Sequence, residues 1–455
     1  MTDGYRLVRH VTRMGAGVAV GALTLLLPVG AFAQAAAEPP PPTLSGGDTA
    51  WMLIATALVL LMTPALAFFY GGLVRSKNAL NTMMMSFISL GFVSLAWAFI
   101  GYSLAFTPGN NWIGDTSAFF LKGVGMDLPI GISTALIPHS LFMCFQATFC
   151  IITAALISGA IVERMRFSAY VLFITLWSVA VYAPIAHWVW GGGWLADMGA
   201  LDFAGGTVVH VNAAVAAFVA VLCVGPRRDY KSAALMPHNV PFVLLGAGLL
   251  WFGWFGFNAG SAVAANGSAG LAFTTTMLAP AGTLVVWTLL DAMRQGKATA
   301  VGAATAIVVG LVAVTPAAGH ISPMNAILLG AIAAVPSYFT LIIRAKTSLD
   351  DSLDVLAAHG VGGTVGALLT GVFAEKSLNG LADGLLYGNP AQLGIQATAV
   401  AAAIVYSGVV SFILLKVVGL IFPLRATAES ESEGLDTTAH GEEAYVHAGG
   451  SSQMG

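Results

Sequence analysis

Apolar residues occur in long stretches of about 20 residues, which short polar segments separate. A helix of this length is needed to cross about 30 Å of hydrocarbon, because each helical residue adds about 1.5 Å. The pattern predicts an all-α polytopic membrane protein with eleven transmembrane helices. The expected spans lie near residues 51–73, 79–105, 136–161, 168–187, 203–224, 240–260, 270–291, 299–317, 323–343, 353–373 and 393–421.

The basic residues between the spans predict the orientation of the chain. Lysine and arginine are enriched in the cytoplasmic loops of membrane proteins. If the mature chain begins outside, most of its basic loop residues fall on the cytoplasmic side, so the N-terminus is predicted outside and the tail inside. The cytoplasmic residues are then Arg75, Lys77, Arg164, Arg166, Arg227, Arg228, Lys231, Arg294, Lys297, Arg344, Lys346 and Arg425, whereas Lys122 and Lys376 lie outside.

Composition supports the membrane class and excludes others. The chain is 57% hydrophobic and 9% charged, and its mean hydropathy is +0.84, which excludes an ordinary soluble domain. A net charge of -3 gives no indication of nucleic-acid binding. Cys144, Cys150 and Cys223 lack Cys-x-x-Cys spacing, so neither a disulfide framework nor a zinc site is indicated.

Residues 1–33 have the pattern of a cleaved export signal. Three arginines precede an apolar run, and Ala31 and Ala33 form a small-x-small cleavage site. The alternative is an extra membrane helix, but the apolar run is short and a proline-rich spacer follows it. The predicted organisation is a signal peptide (1–33), a periplasmic segment (34–48), a transmembrane domain (49–422) and a cytoplasmic tail (423–455), in a cell inner (plasma) membrane.

Two histidines occupy the middle of apolar spans, and each follows an aspartate by eight residues: His210 after Asp202, and His359 after Asp351. Eight helical residues cover about 12 Å, which brings both imidazoles near the centre of the bilayer. Ionisable groups at that depth are functional candidates. Because the fifth span runs inward and the tenth outward, the two copies are predicted to be inverted. Inverted five-helix halves commonly form a transport path at their interface.

The two aspartates and the two histidines can each have a structural or a functional role. Eight residues rotate a helix by about 800°, so Asp202 and Asp351 face away from the histidines, and helix capping is favoured over a proton relay. Asp354, close to Asp351, is given the same structural role. A lone buried histidine is usually a hydrogen-bonded core residue, but a symmetric pair favours a polar lining of a pore. Metal ligation would need further ligands that the sequence does not supply.

Five motifs resemble the ammonium transporter family (Amt/Mep/Rh), and the likeness to its bacterial Amt-type members covers nearly the whole mature chain. They are DFAGGTVVHVNAA (202–214), GWFGFNAGSA (253–262), DDSLDVLAAHGVGG (350–363), FYGGLVRSKN (69–78) and ERMRF (163–167). The resemblance implies an eleven-helix protomer with an inverted five-plus-five repeat. It also implies a homotrimer with one pore in each subunit, and no cofactor or catalytic residue.

The resemblance also implies a role for individual side chains. Residues of the outer ammonium-recruitment site are expected to be Phe145, Phe149, Trp190 and Ser261. Phe149 and Phe257 are expected to form a stacked gate, and the pore is expected to be lined by His210, His359 and Trp254, with Thr315 in the outer vestibule. Helical spacing agrees, since Phe145 and Phe149 share one face. Without the resemblance, core or lipid packing is the usual role of such aromatic stripes.

The residues suggest how an ammonium ion would pass. Aromatic faces hold a small cation at roughly 0.5 to 2 kcal/mol per contact, and a serine hydroxyl accepts an N–H bond. The sequence has neither a mid-membrane carboxylate nor a carbonyl filter of the TVGYG kind, so passage of an intact cation is disfavoured. We therefore expect ammonium to lose its proton near the phenyl gate and to cross as ammonia. Sequence leaves open whether the proton follows separately.

The expected partners are ammonium or ammonia, methylammonium as an analogue, the lipid bilayer and two further subunits. The tail motifs at 433–436 and 440–445 resemble the family's ordered cytoplasmic region, which implies a PII-type regulatory partner; the alternative is an acidic, solvated tail. Other function classes are an ammonium sensor, expected to carry a fused signalling domain, and an intramembrane enzyme, for which no nucleophile or ligand set is recognisable. Trp190 and Ser261 disfavour a Rh-type channel.

Overall fold

The computed structural model describes residues 43–129, 135–233 and 235–445, and this part of the chain is almost entirely helical. The expected signal peptide and most of the segment after it lie outside the described residues. Ten described helices are long and apolar enough to cross a membrane, and one apolar helix is shorter. They are α1 (Gly46–Leu73), α2 (Ser76–Phe106), α3 (His139–Ile161), α4 (Phe167–Asp197), α5 (Gly206–Val224), α6 (Val240–Gly260), α7 (Gly267–Gln295), α8 (Ala300–Val314), α9 (Pro323–Lys346), α10 (Leu356–Phe373) and α11 (Ala391–Ile421).

The prediction of a polytopic all-α membrane protein is thus confirmed, with about ten to eleven apolar helices. Four of the long helices contain π-helical turns, at Trp97–Gly101, Ser178–Tyr182, Gly206–Val211 and Leu356–Val361. The last two are the first turns of α5 and α10. A small hairpin, β1 (Gly109–Asn110) with β2 (Ile113–Gly114), follows α2. Single helical turns lie at Phe119–Leu121, Lys376–Asn379 and Leu385–Tyr387.

Side-chain caps define where several helices begin. Ser45 accepts a hydrogen bond from the Asp48 N–H at 3.2 Å, and Asn239, Asn266 and Thr299 cap α6, α7 and α8 in the same way. Such caps satisfy N–H groups that have no partner inside the helix. Close packing of α1 against α6 depends on small residues, since a Cβ at Gly256 would lie 2.8 Å from the Ala55 carbonyl oxygen. Small residues of this kind allow membrane helices to approach closely.

A buried network of ion pairs joins four interhelical segments at one end of the bundle, which we call the tail end. Arg227 pairs with Glu163 at 2.6 Å and with Asp350 at 2.8 Å. Glu163 also accepts from Arg75 at 2.9 Å. Arg164 lies beside the network and donates to the Asp350 carbonyl oxygen at 2.6 Å. In the sequence these arginines are only orientation signals, because the carboxylates that pair with them are distant along the chain.

Protonation of this network should destabilise the fold in acid. Burial raises the pKa of Glu163, but Arg227 and Arg75 outweigh it and hold the pKa below its usual 4.5. The pKa of Asp350 is lowered in the same way. Burial raises it, but Arg227 outweighs burial and holds the pKa below its usual 3.8. Because both folded-state pKa values are depressed, the stabilisation is present above about pH 4.5 and is lost as pH falls towards the folded-state values. The melting temperature in detergent should therefore decrease steeply below about pH 4.5.

The double variant Glu163→Gln with Asp350→Asn is the control for this prediction. It should be less stable than the unaltered protein at neutral pH, because Arg227 remains buried without a charged partner. Its melting temperature should depend less on pH between about 5 and 3. Equal pH dependence in the two proteins would contradict the role given to the network.

The segment after α11 is folded against the tail end. Two short helices, α12 (Ala428–Glu433) and α13 (Leu435–His440), follow one another there. Asp436 accepts hydrogen bonds from the Asn81 N–H at 2.7 Å and the Leu80 N–H at 3.0 Å, near the start of α2. Glu431 is 6% exposed and accepts from Arg425 at 2.9 Å. As far as residue 445, these contacts favour the ordered alternative for the tail over the solvated one.

Candidate functional site

An aromatic vestibule of about 280 Å³ opens at the end of the bundle opposite the tail. Trp190 and Ser261 line it, and Phe149 lies at its base. The Ser261 hydroxyl donates to the Phe257 carbonyl oxygen at 2.8 Å, which leaves the oxygen's lone pairs available to a ligand. Val263, also in the lining, has a φ of 53°. A left-handed conformation is unusual for a β-branched residue and is typical of strained functional sites.

Two phenyl rings close the base of this vestibule. Phe149 and Phe257 are stacked, with ring centroids 4.1 Å apart and an interplanar angle of 16°. Trp190 meets Phe149 edge-on at 6.0 Å. Phe145 lies behind Phe149 at 4.9 Å and is fully buried. The expected gate pair is therefore in contact, whereas Phe145 supports Phe149 and is absent from the vestibule lining.

Two histidines lie beyond the phenyl rings in a very narrow space. The Nδ1 atoms of His210 and His359 are 3.1 Å apart, and both side chains are buried. The enclosed cavity beside them has a volume of about 10 Å³, which is room for about one water molecule. Apart from the two imidazoles and the Trp254 indole, its lining is aliphatic, aromatic or thioether.

The contact between the two Nδ1 atoms requires one imidazole N–H to donate a hydrogen bond to the unprotonated nitrogen of the other ring, because a neutral ring has one donor and one acceptor nitrogen. The Nε2 atom of His210 is buried, and no described residue hydrogen-bonds it. Trp254 stacks on His210 at 5.4 Å between centroids. The Trp254 indole N–H donates to Thr315 at 2.9 Å. His210 thus has one ring nitrogen engaged by His359 and one available to a small molecule in the cavity.

Thr315 is hydrogen-bonded to the pore-lining candidate Trp254. It is fully buried, donates to the Leu311 carbonyl oxygen at 2.8 Å and accepts from Trp254. It is not among the residues that line the aromatic vestibule. Thr315 therefore orients Trp254, which in turn packs on His210, and its expected place in the outer vestibule stays a prediction.

Asp202 hydrogen-bonds the backbone at the start of α5. Its two carboxylate oxygens accept from the N–H groups of four consecutive residues, Gly205 to Val208, at distances from 2.6 to 3.1 Å. The π-helical turn that begins there ends at Val211 and carries His210. A carboxylate at this point satisfies the free N–H groups of the first turn. Asp202 therefore fixes the segment that positions His210.

Asp351 makes a smaller version of this arrangement at the start of α10. It accepts from the Val355 and Leu356 N–H groups at 3.1 and 2.7 Å, immediately before the π-helical turn that carries His359. Asp354 differs from the expected capping role, because its carboxylate pairs with Arg344 at 2.5 Å. Asp354 and Arg344 line a second vestibule of about 430 Å³, which extends from His359 to the tail end.

Several residues of the aromatic vestibule were not predicted from the sequence. Phe106, Phe142, Gln146 and Phe203 all contribute to its lining. Phe142, Gln146 and Phe149 are spaced four and three residues apart on α3, which places them on one helix face. That spacing was a usable signal for two of the missed residues. Within the described residues no group of three or more histidine, cysteine or acidic side chains could hold a metal ion.

Fold and site together define a polytopic membrane protein with two vestibules and a constricted, histidine-lined segment between them. The Ammonium Transporter Family model matches residues 50–445. An ammonium transporter of Bacillus subtilis (strain 168) is 49% identical over 401 residues, which cover 88% of this chain and 98% of that relative. The chain belongs to the Ammonium Transporter Family.

Solved structures show the same fold. The crystal structure of Saccharomyces cerevisiae Mep2 has a TM-score of 0.79 and 34% identity, and the match covers 85% of this chain and 89% of that chain. A structure named Sensor Amt Protein has the same TM-score with 30% identity, and covers 87% of this chain and 98% of that chain. One of these two structures is thus named as a sensor, although both share the fold of this chain.

Proposed function

We propose that this protein transports ammonium by binding the ion in the aromatic vestibule, removing its proton and passing ammonia between the phenyl rings and along the histidine pair. The observation that carries the proposal is the free Nε2 of His210 in a cavity of about 10 Å³. A space of this size admits one small molecule. Its polar groups suit a neutral molecule that donates and accepts hydrogen bonds.

Binding of the ammonium ion in the aromatic vestibule depends on the faces of aromatic rings and on one hydroxyl group. Trp190 and Phe149 border the vestibule, and aromatic rings attract small cations without a carboxylate that would trap them. The Ser261 oxygen accepts an N–H bond from the ion. Beyond the phenyl pair, desolvation of an intact cation is far more costly than desolvation of ammonia. We therefore place the loss of the proton at the phenyl pair, where the proton passes either to the solvent of the aromatic vestibule or to the histidine pair.

The sidedness and assembly of the protein are part of the proposal. The distribution of basic residues supports placing the aromatic vestibule outside and the tail end in the cytoplasm of a cell inner membrane. An inverted five-plus-five repeat is supported by the two Asp–His segments at the starts of α5 and α10. A homotrimer and a PII-type partner at the tail end rest on the family resemblance, and a cleaved signal peptide rests on the sequence pattern of residues 1–33.

Methylammonium uptake by cells that lack other transporters tests the proposed function. Expression of the full chain should produce saturable uptake, and ammonium should compete with it. Absent uptake by protein that reaches the membrane would reject transport and would favour a sensor, the function named for one of the structural relatives.

Removing the indole of Trp190 should weaken recruitment without blocking the pore. In Trp190→Leu, one cation–π contact is lost, so the half-saturating methylammonium concentration should rise by roughly 2- to 30-fold. The matched control is Trp188→Leu, because Trp188 is buried, donates to the Trp112 carbonyl oxygen at 2.8 Å and does not line the vestibule. Equal half-saturation in the two variants would contradict recruitment by Trp190.

A further inference from the structure

Gln146 is a buried amide in the wall of the aromatic vestibule. It lies on α3 one turn from Phe142 and from Phe149, and all three residues line the cavity of about 280 Å³. Only 8% of Gln146 is exposed. Of the residues in that lining, Gln146 and Ser261 are the ones whose side chains carry oxygen. The rest of the wall consists of aromatic and aliphatic side chains.

The Gln146 carbonyl oxygen has no hydrogen-bond donor among the described residues, although it is buried. Buried polar groups are nearly always hydrogen-bonded, and an exception calls for an explanation. Gln396 is a buried amide with both ends hydrogen-bonded, as is usual. Its Oε1 accepts from the Leu201 N–H at 2.8 Å, and its Nε2 donates to the Leu201 carbonyl oxygen at 2.7 Å. Gln146 therefore has unused hydrogen-bonding capacity at the edge of a cavity.

An ammonium ion supplies the missing partner. It carries four N–H donors, of which the Ser261 oxygen can accept one and the π faces can accept others. Rotation of the Gln146 amide about its last bond exchanges oxygen and nitrogen positions, so the oxygen can face the cavity. The acceptor is neutral, so it can orient the ion without holding it as tightly as a carboxylate would.

We infer that Gln146 is a further recruitment residue, whose amide oxygen accepts an N–H bond from ammonium in the aromatic vestibule. This inference rests on the proposed transport function. It assigns a direct contact with the substrate to a side chain that has no structural hydrogen bond through its oxygen.

The test measures methylammonium uptake into proteoliposomes that contain the full chain, together with the melting temperature. In Gln146→Met, which has a similar shape and no amide, the half-saturating concentration should rise about tenfold. The melting temperature should not fall, because no hydrogen bond to the Gln146 oxygen within the protein is removed. Gln392→Met is the matched control. Gln392 is buried and donates to the Gly199 carbonyl oxygen at 2.9 Å, so this variant should melt lower and keep the half-saturating concentration of the unaltered protein.

A second substitution keeps the inference testable if Gln146→Met does not fold. In Gln146→Glu the acceptor becomes charged, so half-saturation should move to a lower concentration and the maximal rate should decrease. Unchanged or weaker binding in Gln146→Glu, or unchanged half-saturation in folded Gln146→Met, would overturn the inference while leaving ammonium transport intact. Absent uptake by the unaltered protein would instead reject the proposed function itself.

Discussion

Replacing His210 with leucine is expected to reduce methylammonium transport at least about 30-fold. The variant removes the imidazole whose Nε2 is open to the cavity. His359 and Trp254 are then the polar side chains that remain in the cavity lining. Moving a small polar molecule through this cavity without a hydrogen bond costs roughly 2–7 kcal/mol, and each 1.4 kcal/mol corresponds to about a tenfold change. Initial uptake rates in proteoliposomes measure the loss.

The matched control is His139→Leu. His139 is also a buried histidine whose imidazole is hydrogen-bonded, since its Nε2 lies 2.6 Å from the Tyr102 hydroxyl. It does not line the cavity beside the histidine pair. His139→Leu should melt lower and still transport. Transport by His210→Leu at the rate of this control would show that the histidine pair is not on the path.

Replacing Asp202 with alanine should have the largest effect on both stability and transport. Four backbone N–H groups lose their acceptor at once, and hydrogen bonds to a charged group contribute roughly 1.5–3 kcal/mol each. Since these N–H groups begin the turn that carries His210, the imidazole should lose its position. We expect a decrease in the free energy of unfolding of more than about 3 kcal/mol and no measurable uptake.

Asp351→Ala provides the internal comparison, because Asp351 accepts two backbone N–H bonds where Asp202 accepts four. Its effect on the melting temperature should be about half as large, and transport should be impaired less. Asp202→Glu retains a carboxylate and should recover part of both losses. An Asp202→Ala protein as stable as the unaltered chain would contradict the structural role of this carboxylate.

Much of this architecture follows from features that are local in the sequence. The length of each apolar stretch predicts a spanning helix, so the helices α1 to α11 lie close to their expected positions. The repeated Asp–His spacing identified His210 and His359, and the structure brings their Nδ1 atoms into contact at 3.1 Å. The resemblance placed Phe149 and Phe257 together, and they are stacked.

Features that depend on tertiary contacts could not be predicted in this way. The π-helical turns of α5 and α10 begin beside carboxylates that accept several N–H groups, and helix propensity gives no sign of these turns. The ion-pair network requires segments near residues 75, 163, 227 and 350 to meet. The sequence gives no sign of a role for Gln146, because a single amide in an apolar span usually bonds a neighbouring helix. The structure shows that no described residue hydrogen-bonds its oxygen.

Thr315 illustrates how the structure adds contacts to a residue that a resemblance singles out. A threonine at the end of α8 was expected in the outer vestibule, and its hydroxyl donates to the Leu311 carbonyl oxygen and accepts from the Trp254 indole. Its contribution to the path is therefore indirect, through the indole that packs on His210. The same distinction applies to Phe145, which supports the Phe149 ring from behind.

The destination of the proton distinguishes two transport mechanisms, one that carries charge across the membrane and one that does not. If the proton crosses along His210 and His359, ammonium should evoke a current across proteoliposomes. If it returns to the outer side, ammonia flux should persist without current. Both mechanisms share the claim that the intact cation does not pass the phenyl pair.

The most direct test of that claim compares potassium with ammonium in the same proteoliposomes. Potassium is a small cation that the aromatic vestibule can attract, but it has no proton to lose and cannot become neutral. The account predicts saturable ammonium transport with potassium flux no greater than in protein-free liposomes. Potassium flux comparable to ammonium transport would contradict passage as ammonia.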